Sequence, residues 1–408
     1  MNNEQQYLIN ILKHLLHEDD NLPSNNSDID FDLVYRIAKH NSVANMAAYL
    51  ISKDLSISAD VRQKFEKERM QIIMQRIKQE AVISELKEIF DSNEKRGVIL
   101  KGSIIKDFYP VQYMRSMSDI DFFMEEKDIK DIAGDIAQNG YMADLQGLGS
   151  HYTYNKYDVV HVELHSDIEP INSSYGKNVF QPRFPDATSI EEEMDLWSHT
   201  IPFKGSNYMV QLTPEYHYAY MIMHAMRHFM SSGTGIRSIM DVWVMNNHYA
   251  KKWDRDMLAT LLEKFGMARF EKYAVALADR WFDLHDTVSV APELDDDTLD
   301  AFESFIFGSG TYGNIDNGVV ARMGHETNIR SKLAFLLKAF FLSYEYMKHQ
   351  YPVLGKAPIL LPVMWVYRVF DVFHKRGASA KHKLHSVVNA DEKKAQTQKE
   401  MLDELLRQ

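Results

Sequence analysis

Apolar positions recur at helical spacing from the start of the chain. Leu8, Ile11, Leu12 and Leu15 share one face within residues 5–17, and Val34, Ile37 and Ala38 share another within 31–53, the period of amphipathic helices. A long helix, broken near its ends, is expected from about Ser58 to Asn93. The period then shortens: Gly97-Val98-Ile99-Leu100 is a β-branched run, and Ser118-Asp-Ile-Asp-Phe-Phe-Met124 stays apolar beyond its second aspartate, as a buried strand does. A helix from Lys127 to Gln138, closed by Asn139-Gly140, and strands near 151–156 and 159–166 complete this middle region. At Thr213-Pro214-Glu215 an N-cap residue precedes a proline at the first helical position, and the chain turns helical again.

The pattern predicts an α+β chain in four parts: an N-terminal helical cap over 1–93, a strand-rich core over 94–210, a C-terminal helical domain over 211–376 and a charged tail over 377–408. Gly308-Ser-Gly310-Thr-Tyr-Gly313 matches a dinucleotide-binding string by letter. It follows a helix-like Asp300–Phe307 rather than a strand, with no clear helix after it, so it is read as a loop. Leu333 to Tyr346 reads as a core helix, and Met364 to Phe373 as an apolar helix. Burial against the body is the expectation for the latter, with self-association or a membrane surface as its other uses. Glu400 to Leu406 is expected to form a terminal helix after a mobile linker.

Candidate chemistry concentrates in the middle region. Residues two apart on a strand project from one face, so Asp119 and Asp121 can converge on shared cations while Ile120 faces a core. Hard carboxylate oxygens suit Mg²⁺ or Mn²⁺. Upstream, the strand ending at Leu100 is followed by Lys101-Gly102-Ser103 and a helix start, where backbone N–H groups and the Ser103 hydroxyl can accept phosphate oxygens and Gly102 leaves the approach open. Downstream, Glu163 completes a three-carboxylate set. His161 and His165 share its strand face, but a neutral imidazole is a poor Mg²⁺ ligand, so Glu163 is preferred. Arg115 either clamps a phosphate or balances the carboxylates; Lys101 either reaches a triphosphate or points to solvent. His224 and His228 lie four apart on one helical face. Their string, His-Ala-Met-Arg-His, lacks the glutamate of a zinc protease, which argues against a zinc hydrolase. Packing against Asp241, or lining the cleft opposite the carboxylates, explains the pair better.

Leu100-Lys-Gly-Ser, Tyr109-Pro110, Arg115, Asp119-Ile-Asp121 and Val162-Glu-Leu-His165 together resemble the uncharacterised nucleotidyltransferase family of the polymerase-β-like superfamily. Leu196-Trp197, Leu212-Thr-Pro-Glu215, His224 with His228, Arg237-Ser-Ile-Met-Asp241 and the stretch from Tyr351-Pro352 to Leu361-Pro362 extend the resemblance over most of the chain. Fifteen residues lie between Ser103 and Asp119, more than in short-spaced superfamily members. The resemblance implies a small mixed β-sheet nucleotidyltransferase core flanked by helical domains. It implies a two-metal mechanism in which Asp119, Asp121 and Glu163 hold Mg²⁺ or Mn²⁺. It further implies an NTP co-substrate, with ATP the first choice, bound through Lys101, Gly102, Ser103 and Arg115. The helical region of that family faces the nucleotide site, which brings in His224, His228 and Asp241.

Composition narrows the partners. The chain has 46 Lys+Arg against 58 Asp+Glu, a net charge of −12, which argues against tight binding of duplex nucleic acid. A small-molecule or protein acceptor hydroxyl is expected instead. The absence of cysteine excludes disulfides and thiol nucleophiles. With no secretory signal and no apolar run near the ~20 residues of a membrane span, the expected location is cytoplasmic. The alternative to an enzyme is a non-catalytic nucleotide-binding or antitoxin-like module of the same fold.

Overall fold

The computed structural model describes the chain except residues 25–28, 112, 145–150, 232, 251, 285–293, 311–331, 333, 335–336, 338–340, 389–391 and 406–408. Helices α1 (Asn3–Leu16), α2 (Phe31–His40) and α3 (Ala44–Ile51) open it. The single helix expected over 31–53 is two. The Asn41 side chain bonds back to the Ile37 carbonyl at 3.1 Å, and Ser42 takes a left-handed φ of 52°, which ends the helix and starts the next. Helix α4 (Ala59–Asn93) then runs 35 residues from an N-cap at Ser58, whose Oγ accepts from the Val61 N–H.

The middle of the chain contains β1 (Gly97–Ile99), the single turn α5 (Gly102–Ile105), β2 (Asp119–Phe123), α6 (Glu126–Gln138), β3 (Met142–Ala143), β4 (His151–Lys156), β5 (Val160–His165), the short helices α7 (Ser174–Val179) and α8 (Ile190–Glu193), β6 (Thr200–Pro202) and β7 (Met209–Leu212). These strands form one seven-stranded mixed sheet in the order β3-β4-β5-β2-β1-β7-β6. The β2–β5 and β1–β7 pairs are parallel and the rest antiparallel. Helices α9 (Pro214–Ser231), α10 (Ile236–Tyr249), α11 (Arg255–Lys264), α12 (Ala268–Phe282) and α13 (Asp296–Ser309) follow. The architecture is α+β.

The two-residue period of the strands divides the apolar residues between two cores. On one face Ile99, Ile120, Phe122, Val162, Leu164 and Met209 pack under α4 and α6, which contribute Leu86, Phe90, Ile129 and Ile132. Phe90 meets Phe122 edge-on at 5.2 Å. On the opposite face Val98, Leu100, Phe123, Val210 and Leu212 join the larger core built with α1–α3 and α9–α13. Asp119 and Asp121 belong to this second face, so the residues that carry charge are on the side the helical segments approach.

The C-terminal segment departs from two expectations. Helix Leu361–Val388 continues straight across Arg376, and a second helix, Glu392–Leu405, docks Met401 and Leu405 into the large core while Glu404 pairs with Arg269. The apolar helix expected to be buried instead exposes Val363, Val366, Tyr367 and Phe370, at 58–72% for all but Tyr367 at 55%. Their i, i+3, i+4, i+7 spacing makes one continuous stripe, which is what a helix shows where, among the described residues, no neighbouring element covers that face. The Leu333–Tyr346 stretch lies largely outside the described residues; Leu337 and Phe341 are exposed. Of the glycine string, Gly308 and Ser309 end α13, Gly310 follows at φ 65°, and the remainder is outside the described residues. Among the described residues no helix is long and apolar enough to cross a membrane.

Truncating Phe90→Ala removes the ring that joins α4 to the sheet and should destabilise the protein by about 3–5 kcal/mol, measured by urea unfolding. An unchanged midpoint would mean that α4 is not held through this contact.

Candidate active site

The parallel pairing of β2 with β5 sets Asp119 beside His161 and Asp121 beside Glu163. Registered neighbours in parallel strands project from the same face, so Asp119, Asp121, Glu163 and His165 form a polar row on the helix-facing side. Its ligand-capable atoms from Asp121, Glu163 and His165 all lie within 4.8 Å of one another. His165 Nε2 lies 3.0 Å from Asp121 Oδ1 and 3.3 Å from Glu163 Oε2.

Lys101 supplies the second positive charge. It sits where β1 turns into α5 with φ 50° and ψ −128°, a conformation costly for any residue with a Cβ. That turn directs its Nζ to Asp121 Oδ1 at 2.8 Å. At the next position a Cβ on Gly102 would run into the Arg115 guanidinium and come within 3.0 Å of Met117 Cγ, so glycine is required here by close packing. Ser103 is buried and outside the cleft lining; among the described residues its Oγ has no hydrogen-bond partner.

The electrostatics of the row are uneven. Burial pushes the Asp121 carboxyl up, but Lys101 and His165 outweigh it and hold Asp121 well below the usual range. Asp119 is pushed up by burial and by the negative charges of Asp121 and Glu163, against which Lys101 and a bond from Ser118 are insufficient. Glu163 is lowered by its bond from His165, with burial opposing. Three hard carboxylates with charge left over at Asp119 are a donor set that fits a divalent cation such as Mg²⁺.

The segment entering β2 is pinned by side chains from three helices. Asn45 of α3 donates to the Met114 carbonyl at 2.7 Å, while Gln75 and Gln79 of α4 both donate to the Met117 carbonyl at 3.1 Å. Arg115 does not reach toward the carboxylates. Its Nε and Nη2 grip Asp241 of α10 bidentately, both at 2.7 Å, and Nη1 donates to the Ser116 carbonyl. The Tyr109 hydroxyl adds a bond to Asp241 Oδ1 at 2.8 Å. The physical reason is the position of Asp241: a buried carboxylate matches the guanidinium fork better than an exposed phosphate would. Asp241 therefore partners Arg115, and His224 and His228 pair with each other, Nε2 to Nε2 at 3.1 Å. Burial first, then Lys101 and Arg227, depress both imidazoles, His228 to about 4, so the pair is neutral at pH 7.

A cleft of about 670 Å³ separates the sheet row from α9 and α10. Lys101, Gly102, Asp119, Asp121, Glu163 and His165 line one wall. His224, His228 and Asp241 line the other, together with Arg227, Arg237 and Tyr220. The geometry thus gathers all the candidate residues but Ser103 around one space, with Arg115 committed to Asp241 behind it. Arg227, beside Glu169 at 3.4 Å, was not singled out from sequence, nor were Tyr220 and Glu169. The signal for Arg227 was its place three residues after His224; Arg237 lies four before Asp241, the spacing that puts residues on one helix face.

The chain belongs to the uncharacterised nucleotidyltransferase family, whose model matches residues 27–283, more than half its length. Members of this class transfer nucleotidyl groups, generally using a nucleoside triphosphate and a divalent metal ion. No curated protein and no solved structure matches the chain.

Two predictions follow from the buried polar cluster. Asp241→Ala leaves Arg115 buried without its partner and should cost about 3–5 kcal/mol, whereas Arg115→Met combined with Asp241→Leu should cost less than the sum of the single changes; additive thermal-melt shifts would contradict this. His217 lies buried near the same pair, and burial lowers it to about 4. A depressed imidazole makes its full contribution above its unfolded value near 6.5 and loses it as pH falls toward about 4. His217→Phe should flatten that part of the stability-versus-pH curve.

Proposed function

We propose that the protein is a metal-dependent nucleotidyltransferase moving a nucleoside monophosphate from an NTP to an acceptor hydroxyl. The observation that carries this reading is the row Asp119, Asp121 and Glu163 on two adjacent parallel strands, facing Arg227 and Arg237 across the cleft. Carboxylates to gather cations and guanidiniums to receive phosphates are on opposite walls of a space large enough for a nucleotide.

Asp119, Asp121 and Glu163 would hold the divalent ions, Mg²⁺ or Mn²⁺. The chemistry such ions supply is charge neutralisation at the phosphoryl oxygens and a lowered pKa for the attacking hydroxyl. The chain's own part is positioning. Arg227 and Arg237, which reach the cleft from α9 and α10, would receive the triphosphate, joined by Lys101, which its turn holds beside Asp121. Gly102 makes room for the Arg115 guanidinium at the edge of the cleft, and the neutral His224–His228 pair offers hydrogen bonds without added charge. The acceptor oxygen bonds to the α-phosphorus, the bond to the bridging oxygen breaks, pyrophosphate leaves with the electron pair and the hydroxyl proton passes to solvent. ATP is the first choice of donor.

Asp119→Asn and Asp121→Asn should each lower transfer of α-labelled nucleotide by at least about a hundredfold. Asp119→Asn should leave the thermal melt unchanged or raised, because it removes a repelled carboxylate. Arg227→Ala should chiefly raise KM for the triphosphate, by about tenfold, as the loss of one charge-assisted contact would. Transfer retained in the double Asp119→Asn, Asp121→Asn variant would refute the reading.

A further inference from the structure

A second cavity, of about 410 Å³, opens on the other side of the segment that enters β2. Ser42, Asn45, Glu68, Ile72 and Gln75 come to it from the N-terminal helices, and Val159 and His161 from the β4–β5 hairpin. It shares Met117, Ser118 and Arg237 with the larger cleft, so the two spaces meet at the residue preceding Asp119. The register repeats this juxtaposition: His161 of the second cavity is the direct neighbour of Asp119, while Glu163 and His165, further along β5, belong to the larger cleft.

In-line phosphoryl transfer needs the attacking and leaving oxygens on opposite sides of the phosphorus. Lys101 and Arg227 line only the larger cleft, while Arg237 lies where the two spaces meet, which puts the phosphate-receiving groups on one side of Asp119 or at the border and the body of the second cavity on the other. We infer that the second cavity is the acceptor site and that its occupant is a small polyhydroxylated molecule of sugar size. This rests on the nucleotidyltransferase reading above.

The wall chemistry selects that class. The volume is within the range of small-molecule sites and too small for a folded macromolecular surface. No Phe, Tyr or Trp is among the described lining residues, so there is no platform on which a base could stack, as a nucleic-acid acceptor would require. The Ser42 hydroxyl, and the amide oxygens of Asn45 and Gln75 whose nitrogens are bonded to the Met114 and Met117 carbonyls, give this wall hydrogen-bonding groups. Lys39 and Glu68 neutralise each other at 2.7 Å, so the far end has little preference for a charged ligand. Ile72, Met117 and Val159 provide apolar patches of the kind that meet the C–H faces of a sugar ring.

Val159 is 41% exposed in the hairpin turn, and Ile72 enters from the α4 wall. Val159→Trp and Ile72→Trp fill the cavity from two directions; Met74→Trp, on an exposed face of the same helix outside the lining, is the control. The full chain is incubated with α-labelled ATP, Mg²⁺ and cell extract, unreacted ATP and its hydrolysis products ADP and AMP are separated off, and the remaining labelled products are divided into a small-molecule filtrate and a macromolecular retentate. Label should enter the filtrate, fall at least about tenfold with both filling variants and remain unchanged with Met74→Trp, while nucleotide affinity measured by calorimetry stays within about twofold of wild type for all three. Label confined to the retentate, or filtrate labelling that survives both filling variants, overturns the acceptor assignment and leaves nucleotidyl transfer standing. No label in either fraction overturns the transferase reading itself. Loss of nucleotide affinity in both filling variants would mean that the two cavities are one nucleotide site, which also overturns the assignment.

Discussion

The buried Arg115–Asp241 pair is the contact on which the cleft depends. It joins the segment entering β2 to α10, and both partners are 6% exposed or less. A guanidinium fork and a carboxylate in this geometry hold direction as well as distance. The same segment is tied at Met114 and Met117 by amides from α3 and α4. Asp119 therefore follows a segment whose Met114 and Met117 carbonyls are anchored from outside the sheet. Gly102 is the counterpart of this arrangement, because the guanidinium that grips Asp241 occupies the space a side chain would need.

Within the row, charge is balanced locally and not overall. Asp121 receives Lys101 and His165, and Glu163 receives His165, whereas among the described residues Asp119 has only a hydroxyl bond from Ser118. Two carboxylates are stabilised as anions and the third is repelled by them. Such asymmetry gives a cation a defined place to add attraction, since the gain is largest where compensation is least. The strained turn at Lys101 belongs to the same balance: its backbone cost is offset by delivering a buried ammonium to a buried carboxylate.

Much of this was legible in the residues. The two-residue alternation of Asp119-Ile120-Asp121 placed both carboxylates on one face, and the apolar continuation to Met124 marked the strand as buried. The span of α4 was readable, although it runs unbroken where breaks near its ends are expected from the residues, and so was the proline-led start of α9. What sequence could not give was tertiary choice. Arg115 had two partners in view, phosphate and the nearby carboxylates, and took a third, Asp241, 126 residues away. The split of 31–53 turned on one left-handed serine. The stripe around Val366 is apolar enough to be buried, and only the arrangement of its neighbours leaves it bare. Strands β6 and β7 are three and four residues long, too short for a period to declare itself, and take their place in the sheet by pairing, β7 with β1 and β6 with β7.

Helix α4 has a further consequence. Its N-terminal half supplies Glu68, Ile72 and Gln75 to the smaller cavity, and its C-terminal half supplies Val82 to Phe90 to the core beneath the sheet. At about 1.5 Å per residue its 35 residues span about 50 Å as a single hydrogen-bonded rod. The spacing between that cavity wall and the sheet is accordingly a ruler set by residue count. An insertion in the helix between Gln75 and Val82 would rotate one end against the other by about 100° per residue, whereas insertions in the surface loops would leave the dimension untouched.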